Sequence, residues 1–159
     1  MREKFRELVK KKNRIFANLE LIQWDLETKT PIKSKPYLAE LVGELSMQEY
    51  DLFTSDEFVN LVETLNKEKN NLSEIEKKEI ELSMEEIEKK KKIPADEYEA
   101  YAKLTSINQG IWEEAKAKND FSIVKDNLEK IFNYNKKFAE YRRKDEKNLY
   151  DVLLNDYEK

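Results

Sequence analysis

Apolar side chains recur at intervals of three and four residues along almost the whole chain. This spacing constrains the fold more than any other feature, because it places the apolar side chains on one face of an α-helix, which must be buried. The first such stripe extends from Phe5 to Leu26 and predicts a helix over roughly residues 2–27. No alternation typical of a strand and no repeat of fixed period interrupts the pattern. The sequence therefore predicts an all-α, bundle-like array of about six helices with short connections.

Proline and capping residues predict where these helices begin and end. Pro31 predicts the end of the first helix, because the residue before a proline is disfavoured in the α conformation. Residues 54–57 and 73–76 resemble capping boxes, in which a Ser or Thr and a Glu three residues later satisfy each other's amides. The second helix is predicted to begin at Ser34, the third to extend from Thr54 to about Lys69, and the fourth from Ser73 to about Lys92. The fifth is predicted from Pro94 to Asn119-Asp120, and the sixth to be capped by Asp120 or Ser122. A polar turn (144–148) and an apolar tail (150–154) follow.

The candidate core consists of the apolar stripes and of several aromatic side chains. Trp24, Tyr98, Tyr101 and Trp112 are interpreted as core or interface anchors, since aromatic residues at helical spacing more often pack in a core than form a ligand pocket. The stripe of the first helix comprises Phe5, Leu8, Val9, Ile15, Phe16, Leu19, Ile22 and Leu26.

The composition excludes several classes of catalytic site. The chain has no Cys and no His, which removes thiol nucleophiles, zinc–thiolate sites, imidazole bases and His-ligated metals. Its two glycines, Gly43 and Gly110, lie too far apart to form a phosphate-binding loop. We therefore predict no catalytic, cofactor-binding or metal-binding residue, and no cofactor, in this chain.

Two charged clusters have simpler structural explanations. Glu81, Glu85 and Glu88 share one helical face, but lysines on the same helix favour a solvated, charge-paired face over a metal site. The run Lys89–Lys92 is interpreted as the cationic last turn of a helix. Net charge is only −4, so nucleic acid is not an expected partner.

Length and hydropathy predict one domain over residues 1–159. No apolar run approaches the length of a membrane span, and the N-terminus lacks the apolar core of a signal peptide. No membrane association and a cytoplasmic location are therefore expected.

Five segments in the same order carry a family resemblance. They are residues 24–31 (W-D-L-E-T with P), 52–58 (L-F-T-S-D-E-F), 92–106 (K-I-P with A-K-L-T-S), 112–122 (W-E-E-A with N-D-F-S) and 150–158 (Y-D-V-L-L-N-D-Y-E). Together they resemble the carboxypeptidase Taq family of metallocarboxypeptidases. The resemblance implies a mostly helical, cytoplasmic and usually dimeric enzyme that releases C-terminal amino acids from peptides with a divalent metal, zinc or cobalt.

The resemblance also implies that the chemistry lies outside this chain. In the family, the metal is held by a His-Glu-x-x-His helix and a downstream Glu, whereas this chain has no His. We therefore interpret the chain as the N-terminal helical part of a longer metallocarboxypeptidase, inactive alone. The alternative is a stand-alone helical interaction module without enzymatic activity. The expected partner is the remainder of the parent enzyme. A homodimer is the further candidate, because unpartnered apolar surface should favour self-association or dye binding.

Overall fold

The computed structural model describes residues 1–157, and within them the prediction of an all-α fold is confirmed. The α-helices are α1 (Arg2–Thr28), α2 (Lys35–Thr54), α3 (Asp56–Lys67), α4 (Glu74–Lys91), α5 (Ala95–Lys118), α6 (Ser122–Arg142) and α7 (Leu149–Leu154). Short 3-10 segments, Ile32–Ser34 and Lys69–Asn71, lie before α2 and after α3. The apolar tail forms α7, one helix more than predicted. Glu158, which closes the fifth resembling segment, and the chain end at 159 lie outside the described residues.

One of the two predicted capping boxes is confirmed. The Ser73 hydroxyl accepts a hydrogen bond from the Glu76 amide at 3.3 Å, and the Glu76 carboxylate accepts one from the Ser73 amide at 2.9 Å. Hydrogen bonds to the Glu76 carboxylate from the Ser73 amide, the largest cause, and from the Ser73 hydroxyl lower the pKa of Glu76. The start of α4 is therefore defined by local sequence, and the ion pair of Glu76 with Arg6, at 2.9 Å, adds a contact to α1.

The other predicted capping box, starting at Thr54, is wrong. Thr54 still belongs to α2, and the chain leaves the helical conformation only at Ser55, which caps α3. The Ser55 hydroxyl accepts from the Phe58 amide at 3.2 Å. With the cap shifted by one residue, Phe58 occupies the position that a capping box gives to Glu. Glu57 instead forms an exposed ion pair with Lys4 at 3.2 Å.

The start of α6 was predicted only in part. Phe121 is the N-cap residue and Ser122 is already the first helical residue, so Ser122 as a cap is wrong. The Asp120 carboxylate does accept a hydrogen bond from the Ser122 amide at 2.9 Å, which satisfies one free amide of the first turn. Asn119, before it, ends α5 in the left-handed conformation, with φ of 51°, which Asn tolerates better than most residues.

The broadest helix contact joins α2 to α5, and both glycines lie in it. A Cβ atom on Gly43 would lie 3.0 Å from Cγ of Lys103, and one on Gly110 would lie 3.5 Å from Cδ of Lys35. A side chain at position 43 would therefore crowd the stem of Lys103, whereas one at position 110 would meet Lys35 only at an ordinary contact distance. Helix α1 packs on α2, α3 on α4, and α6 on α5.

The main core joins the first four helices, and an aromatic group joins α5 to α6. The core cluster consists of Phe5, Phe53, Phe58, Val59, Val62, Leu65, Leu72, Ile80 and Ile87. The ring of Tyr101 lies 5.8 Å from that of Tyr134 and 5.2 Å from that of Phe138, and Tyr98 lies 5.0 Å from Tyr50. The interpretation of Tyr98 and Tyr101 as packing anchors is confirmed.

The prediction that Trp24, Trp112 and Phe16 are core residues is wrong, because all three are exposed. Successive helical residues are separated by about 100°. Trp24 therefore points away from the face that carries Ile22 and Leu26. Phe16 likewise lies beside the stripe rather than on it, next to the buried Ile15. Trp112 is contacted by the ammonium of Lys116, 4.9 Å from the ring centroid.

The capping box provides a matched test of local helix stability. We expect Ser73→Ala to lower the free energy of unfolding by about 1 kcal/mol, because the first turn of α4 loses its side-chain cap. Ser34→Ala is the control, since Ser34 precedes α2 without a side-chain capping hydrogen bond and should change stability by less than about 0.5 kcal/mol. Urea unfolding followed by circular dichroism measures both. Equal losses in the two variants would contradict the assignment.

Candidate functional site

The acidic face of α4 is engaged in ion pairs. Glu81 pairs with Lys78 at 2.7 Å, and Glu88 pairs with Lys144 at 2.6 Å and with Lys92 at 3.3 Å. The hydrogen bond from Lys144 is the largest cause that lowers the pKa of Glu88, ahead of the opposing effect of burial. The interpretation of Glu81 and Glu88 as a charge-paired face is confirmed. Within residues 1–157, no group of three His, Cys, Asp or Glu side chains could hold a metal ion, so these residues do not fit a metal site.

A charged cleft of about 380 Å³ lies between the end of α4, the end of α6 and the segment after α7. At its centre the Asp156 carboxylate accepts hydrogen bonds from Lys89 and from Arg142, each at 2.8 Å. Burial alone would raise the pKa of Asp156, but these two hydrogen bonds outweigh it and hold the pKa below its usual value. Because cations and carboxylates neutralise one another here, we interpret the cleft as a contact that joins α4, α6 and the segment after α7.

The lysine run at the end of α4 has a second role that the sequence did not indicate. Lys89–Lys91 occupy the last turn, as predicted, but Lys90 is buried, with 9% of its surface exposed. Its ammonium donates hydrogen bonds to Glu49 at 3.3 Å and to the hydroxyl of Tyr98 at 3.2 Å. Burial alone would lower the pKa of Lys90, but Tyr98 and Glu49 together raise it. Lys90 therefore stays charged and connects α4 to α2 and α5.

An apolar groove of about 810 Å³ lies between the end of α1, the start of α2 and the second half of α5. Its lining residues are Leu26, Ile32, Lys35, Pro36, Ala39, Ser106, Ile107, Gly110, Ile111, Glu113, Glu114, Ala117 and Lys118. Ala39 and Gly110 are small, while Ile32 and Ile107 leave much of their side chains in solvent. We call this surface the α2–α5 groove.

The polar groups of the α2–α5 groove differ in how they are satisfied. Lys35 forms an ion pair with Glu113, and Lys118 pairs with Glu114 at 2.6 Å. The hydroxyl of Ser106 is buried and has no hydrogen-bond partner among residues 1–157. The groove thus combines apolar surface, neutralised charges and one unsatisfied hydroxyl.

Sequence reasoning predicted no site and missed this groove. Ile32 lies in a 3-10 segment that has no helical stripe, so its exposure could not be inferred from periodicity. Ile107 lies on a helix whose apolar residues are distributed over several faces. The available signal was Gly110, because a glycine inside a helix indicates close packing or close approach.

The sequence of this all-α chain matches the profile of a known protein family. The chain is a member of the carboxypeptidase Taq (M32) metallopeptidase family, whose profile matches residues 4–159. The resemblance in the five segments is thereby confirmed.

Two curated relatives match almost the whole chain. Carboxypeptidase 1 of Bacillus subtilis (strain 168) is 36% identical over 156 residues, which are 98% of this chain and 31% of the relative. Thermostable carboxypeptidase 1 of Pyrococcus furiosus is 35% identical over an alignment 159 positions long, which covers 98% of this chain and 32% of the relative. The chain therefore spans about a third of the length of these relatives.

Two solved structures have the same helical arrangement. The crystal structure named BsuCP superposes with a TM-score of 0.92 at 37% identity, over 96% of this chain and 31% of that chain. The structure of Pyrococcus furiosus carboxypeptidase superposes with a TM-score of 0.73 at 34% identity, over 98% of this chain and 31% of that chain. No helix within residues 1–157 is both long and apolar enough to cross a membrane.

Proposed function

We propose that this chain is the N-terminal helical scaffold segment of a metal-dependent carboxypeptidase that releases C-terminal amino acids from peptides. The observation that carries the proposal is the family match over residues 4–159, combined with coverage of only 31% of the Bacillus subtilis relative. Residues 1–159 would then act as one helical domain of a larger enzyme. The remainder of that enzyme is the expected partner, and a homodimer and a cytoplasmic location are part of the proposal.

The proposal places the chemistry outside this segment. The family description includes a metal, but the donor groups here do not fit one, since the chain has no His or Cys and Glu88 is neutralised by two lysines. Zinc or cobalt would therefore be bound by the rest of the enzyme, together with the peptide substrate. The role of this chain is to build and support the helical framework.

The isolated chain is expected to show no carboxypeptidase activity. Purified protein with added zinc or cobalt should release no C-terminal amino acid from an N-blocked dipeptide or a longer peptide, because no residue set here can activate water on a metal. Carboxypeptidase 1 of Bacillus subtilis in the same assay is the positive control. Metal-dependent turnover by the isolated chain would overturn the proposal that the chemistry lies elsewhere.

The second candidate is a stand-alone helical interaction module without enzymatic activity. Two features favour it: the α1–α4 core gives the chain a folded core of its own, and the open α2–α5 groove offers a binding surface. The reading frame after Lys159 discriminates the two functions. Continuation into a His-Glu-x-x-His helix supports the scaffold segment, whereas a stop codon supports the interaction module.

A further inference from the structure

The α2–α5 groove has the properties of a covered surface. It is an apolar concavity of about 810 Å³, and Ile107, one of its lining residues, is 50% exposed. Concave apolar surface of this size indicates a ligand or a packing partner. The question is which occupant its chemistry fits.

The hydroxyl of Ser106 indicates that the occupant carries a hydrogen-bonding group. Ser106 lines the groove and is only 9% exposed, yet its Oγ has no partner within residues 1–157. Its neighbour Thr105 and the equally buried Ser83 on α4 each donate to the carbonyl four residues earlier, at 3.1 and 2.8 Å. A buried hydroxyl without a hydrogen-bond partner lowers the free energy of unfolding. A polar group of an occupant would restore that stability by forming a hydrogen bond with Ser106.

The charges argue against a peptide substrate in the groove. A peptide with a free C-terminus brings a carboxylate, which needs a cation when it is desolvated. The two groove lysines are already neutralised, Lys35 by Glu113 and Lys118 by Glu114. The groove therefore fits an uncharged, largely apolar protein surface better than a substrate.

We propose that the α2–α5 groove binds a helix or loop from the remainder of the carboxypeptidase. This segment inserts apolar side chains between α2 and α5 and places a hydrogen-bonding group against Ser106. This inference rests on the proposed function. It is supported by the relatives, in which the matched region is only 31% of the chain and most of the polypeptide is therefore available to cover the groove. The same fold, with a TM-score of 0.92, exists within that longer chain.

Cysteine labelling tests the groove directly, because the chain has no Cys of its own. Ile107→Cys and a control, Ile75→Cys, are made in the isolated chain and in a hybrid. In the hybrid, this chain replaces the first third of carboxypeptidase 1 of Bacillus subtilis. Ile75 lies on α4, is 75% exposed and is not a groove residue. Maleimide labelling is followed at each peptide by mass spectrometry.

The expected result is protection of one site only. Ile107→Cys should react at least about tenfold more slowly in the hybrid than in the isolated chain, while Ile75→Cys should react equally in both. Equal rates for Ile107→Cys overturn the inference, whether or not the hybrid assembles. Protection of the isolated chain by an added peptide would assign the groove to substrate, and protection that rises with protein concentration would assign it to a second copy. Either result overturns the inference.

Ser106→Ala provides an independent measurement. In the isolated chain it should raise the melting temperature by about 2–4 °C, because it removes an unsatisfied buried hydroxyl. In the hybrid the gain should disappear or reverse, because the hydroxyl has a partner there. Ser83→Ala is the control and should not raise the melting temperature of either protein. A gain of equal size in both proteins would contradict a partner for Ser106.

The hybrid also separates this inference from the proposed function. Release of C-terminal amino acids together with protection of Ile107→Cys supports both. Release without protection refutes the groove assignment and leaves the scaffold function in place. Protection without release supports the groove assignment and counts against the scaffold function. Neither release nor protection refutes both.

Discussion

Phe58→Ala is expected to lower the free energy of unfolding by about 3–5 kcal/mol. Phe58 is fully buried, and its ring centroid lies 5.3 Å from that of Phe53 in an edge-on arrangement and 6.2 Å from that of Phe5. These rings connect α3 to α2 and α1. The substitution removes the ring contacts and leaves a cavity that three helices cannot all close.

The measurement for Phe58→Ala is urea unfolding followed by circular dichroism at 222 nm (a wavelength at which helices absorb). Phe132→Ala is the matched control, because Phe132 is exposed on α6 and its removal should cost less than about 1 kcal/mol. Domains of this size have about 5–15 kcal/mol of stability, so the loss at Phe58 would be a large fraction of the total. Similar midpoints for the two variants would contradict the central position of Phe58.

Glu49→Gln is expected to lower the free energy of unfolding by about 3–5 kcal/mol, because it removes the carboxylate that is hydrogen-bonded to the buried ammonium of Lys90. Glu49 and Lys90 lie 3.3 Å apart and both side chains are largely buried. Lys90 also lies 5.5 Å from the ring centroid of Phe53 and 5.0 Å from that of Tyr98. These contacts hold the cation in place but do not replace a carboxylate.

A double-mutant cycle isolates this pair. Adding Lys90→Met to Glu49→Gln removes the buried charge and should recover most of the lost stability. The exposed pair of Glu99 and Lys103 supplies the control, and Glu99→Gln should cost less than about 1 kcal/mol. A double variant no more stable than Glu49→Gln would show that the charge is not the cause.

The pH dependence of the Glu49–Lys90 pair has a defined sign. The folded pKa of Lys90 is raised above the ordinary lysine value of 10.5. The interactions of Lys90 with Tyr98 and Glu49 therefore contribute stability that is present below pH 10.5 and is lost as the pH rises through the raised pKa. In Glu49→Gln this alkaline loss should be reduced.

Local sequence predicted the helices because their signals are local. The capping box at Ser73 and the break at Pro94 involve residues within one turn, so their geometry follows from a few neighbouring positions. The error at Thr54 was also local, since Thr54 and the following Ser55 are both capable caps and only the backbone at Ser55 decides between them.

The groove and the buried lysine could not be predicted because they depend on distant residues. Lys90 meets Glu49, 41 positions earlier in the chain, and a lysine in a charged run gives no sign of burial. The groove combines Ile32, from a 3-10 segment, with Ile107, from α5. The groove arises from the way α2 crosses α5, and the contact of Lys90 with Glu49 arises from the packing of α4 on α2; periodicity specifies neither.

The segment after α7 and the α1–α4 core should respond differently to salt, because ion pairs of Asp156 hold the segment whereas the core is apolar. The segment after α7 is attached through the hydrogen-bonded ion pairs of Asp156 with Lys89 and Arg142, and partly exposed ion pairs are weakened by ionic strength. The α1–α4 core is apolar, and excluded salts such as sulfate strengthen apolar burial. Added salt is therefore expected to weaken the attachment of Asp156 by screening, and a sulfate salt is expected in addition to strengthen the apolar burial in the α1–α4 core.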